Sequence, residues 1–271
     1  MKTVVITGAS SGIGKAAALL FLEKGWQVVA TARNTDSLKD ISARENLVAL
    51  QLDVTDNESV NSFMKTMSER NCYINVLINN AGYSVTGSFE DAGEERARRQ
   101  FEVNVFGLMK ITQMFLPILR QQQNGTIINI ASVAGHAGMP SFSLYNASKF
   151  AVEGFSESLW YELRPFNIKV KIVEPGPIKT DFYGRSMDIV LPENSPYFSV
   201  LNPAIKRLNQ MGIVGLPPER VARTIYRAAQ SESFCLRYAV GFSAASLIFM
   251  RHTFPFSIFS FAIRKVMRVK P

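Results

Sequence analysis

A doubly wound α/β fold, with a parallel sheet of about seven strands and helices on both faces, is predicted by three features of this 271-residue chain. Short β-branched runs alternate with helical patterns over the first 180 residues. The runs are apolar throughout rather than at every second residue, which is the pattern of strands buried on both faces. No repeat and no low-complexity linker interrupts them, so residues 1–271 read as one domain.

The strands are expected at residues 4–7, 26–32, 47–54, 74–79, 126–132, 170–174 and 237–240. The first runs into a glycine-rich turn and a helical stretch at 13–24, and the longest helical patterns cover 94–122 and 144–163. Residues 178–216 break the rhythm with prolines, aromatics and no clear period, which suits an excursion over a substrate site. Residues 242–271 form an amphipathic C-terminal extension.

Composition narrows the class. Apolar residues are 47% and charged residues 19%, enough for a sizeable core and too apolar for a disordered chain. The two cysteines, Cys72 and Cys235, do not make a disulfide framework and fit a reducing compartment. No secretory h-region follows Met1-Lys2-Thr3, and the longest late apolar run has 13 residues where roughly 18 or more are needed to span a bilayer, so a cytoplasmic protein is expected. The net charge is +8, yet six of those charges (Arg237, Arg251, Arg264, Lys265, Arg268 and Lys270) follow Glu232, the last acidic residue. The remaining 24 basic and 22 acidic residues nearly balance, so no nucleic-acid-binding body is indicated.

The first turn reads Thr7-Gly8-Ala9-Ser10-Ser11-Gly12-Ile13-Gly14. A glycine turn between a strand and a helix can cradle a pyrophosphate: Gly8 permits the tight turn, Gly12 lets backbone N–H groups approach, and Gly14 allows close helix packing. Asn79-Asn80-Ala81-Gly82 then follows the fourth strand, Ser132 ends the fifth, Tyr145-x-x-x-Lys149 opens a helix, and Pro175-Gly176 follows the sixth. In this order the chain strongly resembles the classical short-chain dehydrogenase/reductase family over about residues 3–240. The resemblance implies a Rossmann-type sheet and a nicotinamide dinucleotide cofactor.

By that resemblance, Gly8, Ser10, Ser11, Gly12, Ile13 and Gly14 form the phosphate loop, and Asp53 and Val54 meet the adenine. Asn80, Ala81 and Gly82 stand beside the ribose and stabilise the strand end, Tyr145 and Lys149 also bind the cofactor, with Lys149 at the ribose, and Ile178 and Thr180, after Pro175 and Gly176, address the carboxamide. Charge argues for NADP(H) over NAD(H). The second strand ends Thr31-Ala32-Arg33-Asn34, with a guanidinium where an acid would otherwise hold the ribose 2′-hydroxyl and repel a phosphate. Asp36 lies further on and reads as a helix start.

Tyr145 and Lys149 are four apart and share one helix face. A phenol with a pKa near 10 is a poor acid or base at neutral pH, and a neighbouring ammonium and an oxidised nicotinamide both favour its phenolate, so a lowered value is expected. Ser132, at a strand's carboxyl end, can hold a carbonyl or alcohol oxygen. Asn104 matches the family's fourth catalytic position, where it supports a water-linked proton path through Lys149. The complete set argues against the rival reading, a dinucleotide-binding regulator without turnover. His136 reads as a loop histidine, with a pocket-lining role as the alternative, and Glu94-Glu95 as a solvated helix start.

Pocket-lining candidates are Tyr83, Met139, Phe142, Phe182, Tyr183 and Met187, with Val85, Tyr197 and Phe198 beside them. This composition favours an apolar alcohol and its ketone or aldehyde, and steroid-, retinoid- or acyl-lipid-like carbonyls are the candidate classes. Arg185 and Lys179 leave room for an anionic group on the substrate. The helices at 94–122 and 144–163 resemble those that pair family members into dimers or tetramers, with Phe106, Ile111, Phe115, Phe155 and Leu159 as interface candidates. In the tail, Ile258, Phe259, Ala262, Ile263, Val266 and Met267 make one helical face, with Ser257, Ser260, Arg264 and Arg268 opposite. A helix docked beside the substrate opening is the favoured reading, and weak peripheral contact with a membrane is its alternative.

Overall fold

The computed structural model describes residues 1–42, 44–70 and 72–269. Lys270, the last of the tail's basic residues, lies outside the described residues. Seven strands form one parallel sheet: β1 (Thr3–Ile6), β2 (Gln27–Ala32), β3 (Leu47–Gln51), β4 (Val76–Asn79), β6 (Gly125–Ile130), β7 (Ile168–Pro175) and β9 (Arg237–Val240). Their order is β3-β2-β1-β4-β6-β7-β9, the Rossmann-like arrangement expected. Strand ends differ from expectation by a few residues; β3 stops at Gln51, β6 stops at Ile130, and β7 extends in both directions.

Successive side chains on these strands enter opposite cores. Val4, Ile6, Val76 and Ile78 pack with α1 (Gly12–Glu23) and α8 (Pro218–Gln230), whereas Val5, Leu77 and Ile127 pack with α3 (Asn57–Arg70), α5 (Leu108–Gln122) and α6 (Ser143–Leu163). The order reverses direction between β1 and β4, which opens a crevice beyond their carboxyl ends.

The single helix expected over 94–122 is three pieces. α4 (Phe89–Phe101) bends at Gly93, Glu102–Gly107 winds as a π-helical segment, and α5 follows. A second, two-stranded parallel sheet pairs β5 (Ser84–Gly87) with β8 (Met187–Val190) and escaped the sequence pattern. The excursion is closed at its base by a bridge between Ile178 and Leu216, and it holds a helix that the missing period concealed, α7 (Phe198–Ile213). The extension is two helices, α9 (Gly241–Thr253) and α10 (Phe256–Met267). The short α2 (Lys39–Ser42) completes the set. Of the expected interface residues, Ile111, Phe115 and Leu159 are buried in the sheet's core; Phe106 is exposed and Phe155 half-buried.

The turn between β1 and α1 is the tightest packing at the crevice. A Cβ at Gly14 would lie 2.3 Å from the Gly8 carbonyl oxygen and 2.5 Å from Asn80 Nδ2, both held in place by hydrogen bonding. Gly14→Ala is therefore expected to lower unfolding stability by about 1–3 kcal/mol. A denaturant midpoint equal to that of the parent chain would refute this close packing.

Candidate active site

The crevice opens into a cavity of about 1180 Å³ that collects residues from the carboxyl ends of β1, β2, β4, β6 and β7. Gly8, Ser10, Ser11, Gly12 and Ile13 form one wall. Gly8 has φ +67°, and a Cβ there would meet Ala81 Cα at 2.9 Å, so the turn and the β4 end close on each other only because Gly8 has no side chain. Ser11 caps α1 in extended conformation without spending its side chain on the helix, which leaves the helix N-terminus facing the cavity. Asp53 and Val54, Asn80 to Gly82, and Pro175, Gly176, Ile178 and Thr180 complete this half. Gly14 stands behind the wall, in the packing role its spacing suggested.

Arg33 is exposed on the rim, at the end of β2. The acids that follow it are engaged elsewhere: Asp36 pairs with Lys39 at 2.8 Å, and Asp40 pairs with Lys15. Asp36 sits in the first turn of a 3-10 helix whose N-cap, Asn34, accepts its N–H. Among the described residues, Arg33 has no ion-pair partner. These walls offer what a dinucleotide needs: N–H donors at a helix terminus for a pyrophosphate, the Asp53 carboxylate and the unopposed Arg33 guanidinium on the rim.

The other half of the cavity holds Ser132, Tyr145 and Lys149. Ser132 follows β6, accepts a hydrogen bond from Ala134 N at 3.1 Å and interacts with the Tyr145 hydroxyl. Lys149 Nζ donates to the Ile130 carbonyl at 2.7 Å and lies 5.8 Å from the centre of the Tyr145 ring. Burial pushes Tyr145 up from its ordinary value, with Ser132 opposing, and lowers Lys149 to about 8, with Glu153 opposing. In the protein alone, loss of water around the buried hydroxyl outweighs the Ser132 hydrogen bond, whereas the lowering expected from the ammonium together with an oxidised nicotinamide belongs to the loaded site.

Asn104 lies beneath the cavity within the π-helical segment. Its Oδ1 accepts from Tyr83 N at 3.0 Å, and its Nδ2 donates to Tyr83 O at 2.9 Å and to Ser148 Oγ at 3.1 Å. The side chain shapes the segment at Tyr83, just before β5, and holds α6 beside Lys149.

Aromatic rings flank Tyr145 on both sides, with ring centres 5.2 Å away for Phe142 and 5.8 Å away for Phe182. Met139, Tyr183, Met187 and Tyr83 also line the cavity, as expected. Val85, Tyr197, Phe198 and Lys179 do not. Val85 is buried behind the wall, with its N–H donated to Gln100, and the Tyr197 hydroxyl donates to Glu90 at 2.7 Å on the exposed side. Arg185 does line the cavity, beside Ser11. The pattern missed Leu208 and Met211 on α7 and Leu247 on α9, whose helices lie far along the chain. It also missed the outer charged wall of Glu95, Arg96, Arg99 and Glu102 on α4 and the π-helical segment, where Glu95 was read as merely solvated.

His136 is a loop residue, in the turn after Gly135, and does not line the cavity. It is buried, with Nε2 2.8 Å from Glu174 Oε1 and Nδ1 3.2 Å from His252 Nε2. Glu153, one turn beyond Lys149 on α6, approaches the same imidazole at 3.6 Å and accepts from Arg237 Nε at 3.2 Å. Arg237 also pairs with Glu157. The hydrogen bond to Glu174 raises His136, and burial followed by the Glu174 charge raises Glu153. Sequence could have hinted at this network: β7 is buried throughout yet carries Lys169, Lys171 and Glu174, charges that need partners.

The geometry is that of a family. The short chain dehydrogenase model matches residues 2–188. The chain belongs to the short-chain dehydrogenase/reductase family. It is 36% identical to the uncharacterized oxidoreductase YusZ of Bacillus subtilis (strain 168), covering 97% of this chain and 98% of that protein. It is 35% identical to a 3-ketodihydrosphingosine reductase of Bacteroides thetaiotaomicron, over 88% and 87% of the two chains. The crystal structure of a short-chain dehydrogenase from Streptomyces avermitilis superposes with a TM-score of 0.85 at 35% identity, covering 98% of this chain and 97% of that one. Two further family members are complexes: one from Burkholderia phymatum with NAD (TM-score 0.81, 26% identity, 93% and 92% covered) and one from Sphingobium yanoikuyae with NADPH (TM-score 0.73, 27% identity, 100% and 97% covered). This short-chain dehydrogenase/reductase is an oxidoreductase that acts with a nicotinamide dinucleotide.

Raised values of His136 and Glu153 have the same sign of consequence. Each group binds its proton more tightly when folded, so its stabilisation is present at mildly acidic pH and is lost as pH rises through the raised value. Folding stability of Glu153→Gln should therefore fall less than that of the parent between mildly acidic and mildly alkaline pH, by about 1–2 kcal/mol. Parallel stability–pH curves for the two proteins would refute the buried-carboxyl assignment.

Proposed function

We propose that the enzyme is an NADP(H)-dependent carbonyl reductase for an apolar, lipid-like ketone. The observation that carries this reading is the aromatic and methionine wall around Tyr145, which offers a substrate burial area and few polar partners. The resemblance to the Bacteroides reductase, whose name specifies a long-chain amino ketone, supports a lipid-like substrate. Unopposed Arg33 supports a 2′-phosphate on the cofactor through charge-assisted hydrogen bonds. The free thiols of Cys72 and Cys235 suit the reducing cytoplasm.

When bound, the reduced nicotinamide supplies the hydride that reaches the carbonyl carbon. Ser132 orients the substrate oxygen by hydrogen bonding. Tyr145, kept protonated by burial, donates its phenolic proton to that oxygen. Lys149, on the same helix face, stabilises the resulting phenolate with its ammonium and would bind the cofactor's ribose. Gly8, Ser11 and the N-terminus of α1 would hold the pyrophosphate, and Ile178 and Thr180 would meet the carboxamide. Asn104 sets the positions of Tyr83 and Ser148, and so the floor under Lys149.

Two substitutions test this assignment. Tyr145→Phe should lower turnover by roughly 10²- to 10⁴-fold while leaving NADPH binding intact. Undiminished turnover on a panel of apolar ketones would remove Tyr145 from proton transfer. Arg33→Ala should weaken NADPH by about 10- to 150-fold, equivalent to about 1.5–3 kcal/mol, and leave NADH nearly unchanged. Equal weakening of both cofactors would place Arg33 away from the 2′-phosphate.

A further inference from the structure

The C-terminal helices touch the body through few side chains. α10 buries Phe259 and Met267 and half-buries Ile263, a stripe at four-residue spacing. Met267 and Ile263 enter the apolar cluster that contains Tyr145, Met139 and Leu208. The helix is therefore docked, but on a narrower stripe than its sequence suggested: Ile258 and Val266, expected on the buried face, are 55% and 48% exposed.

What remains outside is apolar and basic together. Phe242 (88% exposed) and Phe249 (64%) are seven apart and share a face of α9, and Phe256 (69%) and Phe261 (62%) project from α10. Lys265 shares the outward face of α10 with Ile258 and Phe261, and Arg264 and Arg268 flank it. Arg251 extends from α9 to within 5.9 Å of the centre of the Phe256 ring. No acidic residue follows Glu232, so nothing in these helices offsets the cations. Exposed aromatics on this scale mark a contact surface rather than ordinary scatter.

We propose that α9 and α10 form a docking surface for an anionic lipid bilayer, with the phenylalanines at the acyl boundary and the cations at the headgroups. No described helix is long and apolar enough to cross a membrane, so the surface lies on the bilayer. Charge selects this occupant over a second copy of the chain, because a two-fold pairing of the same face would set cations against cations. On α10 Ile258, Phe261 and Lys265 share the outward face, apolar and basic side by side, which is the arrangement an interface of acyl chains and phosphates matches. The surface also adjoins the substrate end of the cavity: Leu247 of α9 lines it, as does Met211, which packs in the cluster that holds Met267. A substrate dissolved in the bilayer would enter beside Tyr145 without crossing bulk water. This delivery step rests on the apolar-substrate reading; attachment to the bilayer does not.

Flotation of the full chain with vesicles of phosphatidylcholine alone, and with phosphatidylserine added, tests the surface without any substrate. Flotation is expected with the anionic vesicles and should weaken as salt is raised. The double substitutions Phe256→Ser/Phe261→Ser and Arg264→Gln/Lys265→Gln should each reduce partitioning by about tenfold or more. Neither pair touches the catalytic groups, so turnover of a water-soluble ketone without vesicles should be unchanged, which also certifies folding. An intact chain that stays in the aqueous phase with both vesicle types would overturn the proposal. So would undiminished flotation of both variants, or a dimer dispersed by Phe256→Ser/Phe261→Ser in a chain that does not float. Flotation without turnover of any apolar ketone would defeat the substrate reading and leave the surface standing.

Discussion

The whole site depends on one set of hydrogen bonds between two strand ends. Thr7 Oγ1 accepts the N–H groups of Asn80 at 2.9 Å and Ala81 at 3.1 Å, and Asn80 Nδ2 donates back to the Thr7 and Gly8 carbonyls at 3.0 and 2.9 Å. Parallel strands leave these backbone groups unpaired where they end, and burial without partners costs about 1–3 kcal/mol for each. The reciprocal bonds satisfy them and join the β1 turn to the β4 turn at the point where strand order reverses. The glycine turn therefore cannot move without moving the wall on which Tyr83 and Gly82 stand.

A second buried polar chain carries that rigidity to the catalytic helix. Asn79 Nδ2 donates to Thr112 Oγ1 and Asn129 Oδ1 at 2.8 and 2.9 Å, and Asn129 Nδ2 donates to Ser156 Oγ at 2.8 Å. These bonds cross from β4 to α5, and through β6 to α6. On the same helix, Ser148 receives Asn104 from the π-helical segment. α6 is thus held at two levels, one on either side of Lys149, and sliding it by a residue would strand several buried donors. The π-helical segment is the local cost of aiming Asn104 at both Tyr83 and Ser148.

The sheet was legible because buried parallel strands announce themselves as unbroken apolar runs, and the glycine turn and the Tyr145–Lys149 pair because their chemistry demands fixed spacing. The features that stayed hidden are those whose cause is tertiary. β5 and β8 are short and mixed, Ser-Val-Thr-Gly and Met-Asp-Ile-Val, and become strands by pairing with each other across a hundred residues of chain. α7 carries Pro203 and shows little period, yet Ala204 and Leu208 find a core in the pocket cluster. His136 has no local signal at all, since Glu174, Glu153 and His252 arrive from β7, α6 and α9.

Burial acts on the two titrating groups of the site in opposite directions, and both effects reduce charge: the phenol holds its proton and the lysine holds its proton less tightly. Glu153, one turn behind Lys149, opposes the second effect. That environment suits a group that must release a proton only when an acceptor oxygen is placed against it. Its persistence depends on excluding water from Tyr145, and the side chains that do so include Phe142, Met187 and Met267. Met267 ties the last turn of α10 to this protection. The C-terminal extension thus contributes to the burial of Tyr145 through Met267, although among the described residues none of its side chains hydrogen-bonds to Lys149 or Tyr145.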